Sequence, residues 1–216
     1  MTKSTDSSRL SGLDSESLAD TLLTYQRPIL IGAIVVAAGV LGGWLWMRSA
    51  QIREERASEA YQSAEAAFTS GNRPLAQSEL ERLVTRFSGT ASGSQSAMLL
   101  AQLLYEQSKF AEGIAQLETA LRGAPKAMRP GIHALIAGGQ EGAGKPLDAA
   151  AAYGRASAAT PFEVEKDQYR MEQARTLANG GDRAGAEAIY RSISGREDSS
   201  YGAEARLRLG ELTSRQ

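Results

Sequence analysis

The sequence predicts an all-α protein with a single N-terminal transmembrane helix, followed by an α-solenoid of about four helix pairs and a C-terminal capping helix. Two observations lead to this prediction. Residues 28–47 form an uninterrupted apolar run without a charge. Through the rest of the chain, small residues recur every 36 or 37 positions. A fixed period of this length is typical of stacked helical hairpins.

The composition restricts the possible functions. The chain has 24 Lys and Arg against 25 Asp and Glu, a formal net charge of −1. This balance provides no bulk electrostatic attraction to nucleic acid, and we expect no nucleic-acid partner. There is no cysteine, which excludes disulfides, thiolate metal ligands and a cysteine nucleophile. A chain without thiols is compatible with either redox compartment.

The apolar run has the length of a membrane span. Residues 28–47 read PILIGAIVVAAGVLGGWLWM, and at about 1.5 Å per residue such a helix covers roughly 30 Å, the thickness of the bilayer core. Arg27 and Arg48 flank it, and Trp44 and Trp46 stand at one end, where indole rings favour the membrane interface. A cleaved signal peptide is the alternative, but its apolar region is usually shorter, about 7–15 residues, and no A-x-A site follows here. We therefore expect an uncleaved anchor in a lipid bilayer.

The charges around the span do not fix its orientation. Three basic residues lie on each side, but those after the span follow it more closely, which slightly favours a cytoplasmic C-terminal domain. They are Lys3, Arg9 and Arg27 before the span, and Arg48, Arg53 and Arg56 after it.

Within the span, Gly39 and Gly43 form a G-x-x-x-G pattern. This small-residue face could pack against another transmembrane helix. Small residues are also common in membrane helices without such a partner, so both interpretations stay open.

The repeat is clearest in two stretches of equal length, Leu100–Pro125 and Ile136–Pro161. Each reads as a helix, a turn, a second helix and a proline. Turns at 108–109 and 144–145 divide these two hairpins. Fainter copies on either side have turns at Gly71-Asn72 and Gly181-Asp182.

Small residues fall in register with these turns. We expect them to be the crossing points of the paired helices, because ridges enter grooves only where side chains are small. The series continues at Leu209-Gly210 in a final unpaired helix that begins near Tyr201. Its other members are Ala64, Ala101, Ala137 and Ala174 in the first helices, and Ala76, Gly113, Ala149 and Ala186 in the second, both spaced 37, 36 and 37 residues apart.

These positions resemble the tetratricopeptide repeat family. The match is closest in the second repeat, through Leu100-Ala101, Phe110, Ile114, Ala120-Leu121 and Pro125. The period is slightly longer than is usual in that family, which implies longer turns between repeats, such as Ser88 to Ser94. Pro146 stands where the family has an aromatic residue.

The order of an acidic arm, one span that ends in W-L-W and a repeat domain that begins near Ala57-Tyr61 is similar to a narrower group. This group is the ancillary subunits of the bacterial SecYEG translocon (YfgM-like). The resemblance implies an inner-membrane protein with a cytoplasmic arm and periplasmic repeats that assist secreted chains. The expected segments are a partly disordered arm over residues 1–27, a transmembrane helix over 28–47, a helical stalk over 48–56 and the repeat domain over 57–216.

The sequence offers no convincing catalytic, metal or cofactor site, and we expect a protein that is not an enzyme. His133 is the only histidine, which cannot build a usual zinc site without cysteines. The glycine-rich stretch before Lys145 lacks the strand and the Ser/Thr of a phosphate-binding loop, and reads as a helix end and a repeat turn. The acidic run from Glu163 to Asp167 is explained by the dipole of a helix start. Glu54 and Glu55 read as part of a solvated stalk.

The first helices of stacked repeats line a concave surface that can bind a peptide. Aromatic and methionine side chains there would suit adaptable contacts with apolar segments. Alternatively, Tyr61, Phe68 and Tyr105 are ordinary core residues. Only one of the groove positions is cationic, which argues against a site for a terminal carboxylate. The predicted groove residues are Tyr61, Glu65, Phe68, Met98, Gln102, Tyr105, Glu141, Met171 and Arg175.

Two functional hypotheses follow. The first is a membrane-anchored scaffold for protein–protein interaction that assists the translocon, periplasmic chaperones or secreted polypeptides. The second is an accessory structural subunit of another large inner-membrane complex, whose span packs among its partners.

Overall fold

The computed structural model describes the backbone of residues 15–214 and the side chains of residues 30–214. It divides the chain into two compact units, Met1–Gln51 and Ile52–Gln216, and helix α1 (Ser15–Thr69) contributes to both. Of the predicted N-terminal arm, residues 1–14 lie outside the described part.

The described residues form helices and no strand, which confirms the all-α prediction. The second unit contains four hairpins, formed by the end of α1 with α2, α3 with α4, α5 with α6, and α7 with α8, and a ninth helix follows them. A short 3-10 helix, Lys126–Met128, precedes α5. The helices after α1 are α2 Arg73–Arg86, α3 Ala91–Glu106, α4 Phe110–Gly123, α5 Arg129–Gly142, α6 Pro146–Ala159, α7 Glu163–Asn179, α8 Arg183–Ser194 and α9 Gly202–Ser214.

The apolar part of the first unit is fully exposed. A window of 18 residues in α1 has a mean hydropathy of 2.0 and none of it is buried, so this helix is long and apolar enough to cross a membrane. Trp44 and Trp46 near the end of the run are 57% and 73% exposed.

Each hairpin turns on one residue with a positive φ. Gly71, Gly144 and Gly181 have φ of 81°, 72° and 89°, and Ser108 occupies the equivalent position in the second hairpin with φ of 60°. The residue after each of them closes the preceding helix with a backbone hydrogen bond, such as Lys109 N–H to the Leu104 carbonyl at 2.8 Å. The predicted turns are therefore confirmed. They use the backbone conformation that glycine adopts most easily.

The small residues of both columns are buried, as predicted. All seven alanines have 0% exposure, and Gly113 is buried in α4. A Cβ atom at Gly113 would lie 2.5 Å from Cε1 of Tyr105, so only glycine fits there. Gly210, the ninth member of the register, is exposed, because no described helix packs on that side of α9.

Three clusters of apolar side chains fill the stack, and each combines a hairpin with at least one helix that follows it. The first joins α1, α2 and α3 around Leu80 and Leu100. The second joins α3 to α6 around Leu117 and Ile132, and the third joins α7, α8 and α9 around Ile193. Since each cluster includes at least one helix from outside a single hairpin, one repeat could not bury its apolar face alone.

Two expectations for residues around the start of α3 are wrong. The predicted turn from Ser88 to Ser94 is shorter, because α3 already begins at Ala91 and Ser92 and Ser94 are buried within it. Glu54 is not a solvated stalk residue. Its carboxylate accepts hydrogen bonds from the backbone N–H groups of Ala91 at 2.7 Å and Ser92 at 2.9 Å, at the start of α3.

Candidate functional site

The predicted groove residues fall into exposed and half-buried positions along the first helices. Glu65 and Gln102 are exposed. Tyr61 and Phe68 are half-buried against the first apolar cluster, and Met98 against the second.

In the fourth repeat, Met171 is 7% exposed and belongs to the third cluster. The chain thus places exposed polar groups next to half-buried apolar ones on α1 and α3, and buries the corresponding methionine of α7.

Tyr105 connects the second and third repeats. Its hydroxyl donates a hydrogen bond to the Leu135 carbonyl at 3.2 Å, and its ring lies 5.8 Å from that of Phe110. Burial raises the pKa of the Tyr105 hydroxyl to about 12. A Cβ atom at Gly139 would lie 2.3 Å from that hydroxyl oxygen. Tyr105 therefore both borders the first-helix surface and fixes the approach of α5.

Glu141 and Arg175 form the polar link between the third and fourth repeats. The guanidinium of Arg175 lies 2.8 Å from one oxygen of Glu141 and 2.7 Å from Glu172. The Tyr153 hydroxyl donates to Glu141 at 3.0 Å. Because two carboxylates already hold Arg175, this residue is not available as a single cation that grips a terminal carboxylate.

The pKa shifts in this network agree with its hydrogen bonds. The bond to Glu141 raises the pKa of Arg175 most, against the opposing effect of burial, and Glu172 raises it further. Burial raises the pKa of the Tyr153 hydroxyl, and the negative charge of Glu141 adds to it. Arg175 therefore stays charged and Tyr153 neutral at any physiological pH.

A cleft of about 430 Å³ lies beside this network, between α7, α8 and α9. The sequence did not predict it, because Arg183 lies on the second helix of its hairpin and Arg208 lies on α9, and the predicted groove included neither helix. Arg183 donates to the Leu212 carbonyl, and Arg208 lies 3.2 Å from Glu211. The three guanidinium groups of the cleft, including Arg175, are thus matched by protein acceptors.

His133 is half-buried in α5, and its Nδ1 atom has no hydrogen-bond partner within the described residues. Burial lowers the pKa of His133, and the positive charges of Arg155 and Arg129 lower it further. The imidazole is therefore neutral near pH 7. Across residues 30–214, no group of three His, Cys, Asp or Glu side chains is arranged to hold a metal ion.

Gly39 and Gly43 lie on the exposed apolar part of α1. A Cβ atom at either position would meet nothing within 4 Å. The surface of the helix is therefore open at both positions, with room for the close approach of another helix.

A family model described as a tetratricopeptide repeat-like domain matches residues 22–137, just over half of the chain. The match covers the apolar segment of α1, the first two hairpins and most of α5. The comparison with curated proteins gave no match.

Proposed function

The chain belongs to the tetratricopeptide repeat-like domain family, and on that premise we propose that it is a membrane-anchored scaffold that binds other proteins. Domains of this kind usually serve interaction rather than catalysis. One observation carries the proposal: on α3, Gln102 is exposed beside the half-buried Met98 and Tyr105. This surface offers apolar contacts together with an amide that can donate and accept hydrogen bonds.

The more specific proposal concerns the partner. We propose that the scaffold acts at the bacterial inner membrane, with periplasmic repeats that assist polypeptides leaving the secretory translocon or the chaperones that receive them. Two features support it: the apolar helix that precedes the repeats, and the methionine and tyrosine side chains along the first helices. Apolar segments of unfolded chains vary in sequence, and a flexible thioether adapts to many shapes.

Site-specific photocrosslinking tests this proposal. A photoreactive amino acid at Gln102 faces solvent on the first-helix surface, and the same amino acid at Glu118 faces solvent on α4 as a matched control. We expect Gln102 to yield adducts with secreted polypeptides only while secretion is active. Equal adducts from both positions, or none from Gln102, would contradict the proposal.

The alternative is an accessory structural subunit whose span packs within a larger membrane complex. The observation that favours it is the open surface at Gly39 and Gly43. Replacing both glycines by leucine would block close helix packing. Under this alternative the double variant loses its complex, and substitutions on the first-helix surface have no effect.

A further inference from the structure

Helix α9 has two different faces. Ala205 is buried, and Leu209 and Leu212 pack against the third apolar cluster. The opposite face carries Ala203, Leu207, Gly210 and Ser214, and all four are exposed. None of these four residues is charged, although charged residues flank them on both sides.

Two positions on this face correspond to buried positions one repeat earlier. Leu207 and Gly210 follow Met171 and Ala174 by 36 residues. Met171 is 7% exposed and Ala174 0%, whereas Leu207 is 61% exposed. A Cβ atom at Gly210 would meet nothing within 4 Å. The face thus corresponds to the face by which α7 packs against α8 within the last hairpin, and no other part of the described chain covers it.

The spacing of these residues is that of a coiled-coil seam. Positions 203, 207, 210 and 214 alternate steps of four and three, as the a and d positions of a heptad do. With Leu207 at position a, Arg206 is at g and Glu211 at e. In a parallel pair, a residue at g faces the residue at e of the next heptad on the other helix. Arg206 would therefore face Glu211 of a second copy, twice by symmetry.

The charges distinguish a parallel from an antiparallel pair. In an antiparallel pair the e positions face each other, which would bring Glu204 next to Glu211 of the other copy and cause repulsion. Both groups of the parallel ion pair are accessible. Arg206 donates only to the exposed Ser194 carbonyl at 3.2 Å, and Glu211 lies 3.2 Å from Arg208. Exposed contacts of this kind are weak and exchange easily.

We propose that the exposed face of α9 binds the same face of a second copy of this chain as a parallel helix pair, with Leu207 packed on Leu207 and Arg206 paired with Glu211. The interface is small, because α9 has 13 residues. It therefore falls in the class of weak, reversible contacts. Anchoring in one bilayer would raise the effective concentration of the two copies. The proposal is independent of the partner bound by the first helices.

Disulfide crosslinking of the full chain in detergent micelles tests this pairing, and the absence of natural cysteines gives a clean background. Leu207→Cys places a thiol at the centre of the seam, and Leu75→Cys, at a leucine of α2 that is 44% exposed, is the matched control. We expect Leu207→Cys to form disulfide dimers at least about tenfold faster than Leu75→Cys over a range of protein concentrations, because parallel a positions meet the distance requirement of a disulfide.

Charge reversal makes the test specific. Adding Arg206→Glu to Leu207→Cys should reduce the rate of disulfide dimer formation to that of Leu75→Cys. The further change Glu211→Arg should restore the faster rate. Equal rates for the two single-cysteine variants would overturn the proposal. So would a rate that does not respond to Arg206→Glu, or one that the second reversal fails to restore.

Discussion

Glu54 caps helix α3 through Ser92, a residue 38 positions later in the chain. One carboxylate oxygen of Glu54 accepts hydrogen bonds from the Ser92 hydroxyl at 2.6 Å and from its N–H at 2.9 Å. The first N–H groups of a helix have no partner within the helix, and a carboxylate there is also favoured by the helix dipole. The contact therefore fixes the C-terminal part of α1 to α3, the first helix of the second repeat.

Replacing Glu54 by glutamine should destabilise the repeat domain by about 1 kcal/mol at neutral pH, because charge-assisted hydrogen bonds are lost at a partly exposed site. Urea denaturation measures this effect. Glu55→Gln is the control, since Glu55 is exposed. Equal stability of the two variants would contradict the capping role.

The same contact predicts a pH dependence. Burial acts to raise the pKa of Glu54, but the hydrogen bonds from Ser92 and Ala91 outweigh it, and the pKa lies below its ordinary value of 4.5. A lowered pKa in the folded state stabilises the fold above the ordinary pKa, and this stabilisation is lost as the pH falls through the folded pKa. The difference between wild type and Glu54→Gln should therefore shrink from pH 7 toward about pH 3.

Ala137 and Gly138 are neighbours in α5 with opposite environments, and substitutions there should have opposite effects. Ala137 has 0% exposure, and Ala137→Leu should cost about 1–3 kcal/mol or more through overpacking. Gly138 is exposed with open space around it, and Gly138→Ala should stabilise α5 by about 0.5–1 kcal/mol. Thermal unfolding of both variants measures the two effects, and a tolerated Ala137→Leu would refute the packing of the first-helix column.

Ser108 adopts the left-handed conformation that glycine occupies in the three equivalent turns. Ser108→Gly should therefore stabilise the domain, by up to about 1 kcal/mol, because the steric cost for a residue with a Cβ disappears. Gly144→Ala in the third turn should destabilise it by a similar amount. Chemical denaturation provides both values, and a destabilising Ser108→Gly would show that the serine side chain has another role.

The buried carboxylate of Asp167 and the half-buried guanidinium of Arg196 form an ion pair that holds the segment between α8 and α9. Asp167 is 3% exposed and also accepts a hydrogen bond from the Ser199 hydroxyl at 2.6 Å. Arg196→Met should lower the free energy of unfolding by about 3 kcal/mol, because it leaves a buried carboxylate without its cation. Hydrogen exchange should then accelerate in α9 more than in α3. An unchanged exchange rate in α9 would mean that the pair does not fix this segment.

The proposed orientation can be tested with a single thiol. Leu75→Cys introduces an exposed thiol into a chain without cysteine. If the repeats are periplasmic, a membrane-impermeant maleimide should label this variant in intact cells whose outer membrane is permeable. Labelling only after lysis would place the repeats in the cytoplasm, which the closely spaced basic residues directly after the span favour.

The fold could be predicted largely because its determinants are local and periodic. The turns at Gly71 and Gly181 and the small residues of both columns each repeat at a fixed spacing, and backbone and packing sterics give that spacing a structural meaning. Gly210 follows the same register and is exposed, because a residue is buried only where a neighbouring helix covers it. The spacing of residues in the sequence does not show whether such a helix is present.

The polar contacts between repeats could not be predicted in this way. Glu54 with Ser92, Glu141 with Arg175 and Asp167 with Arg196 join residues 38, 34 and 29 positions apart, without a common period. Their side chains meet only because the stack brings different helices together. For the same reason, the expectations from the sequence placed Glu54 in a solvated stalk and explained Asp167 by a helix dipole alone.

The most direct test of the scaffold proposal is quantitative recovery of co-purifying proteins after gentle detergent extraction, compared between two variants. Gln102→Arg changes only an exposed side chain of the first-helix surface, and the double change Gly39→Leu with Gly43→Leu alters the apolar helix alone. We predict that Gln102→Arg loses the proteins recovered with the wild type and that the double variant retains them. The opposite pattern would show that the partners bind through the apolar helix and would contradict the proposed role of the repeats.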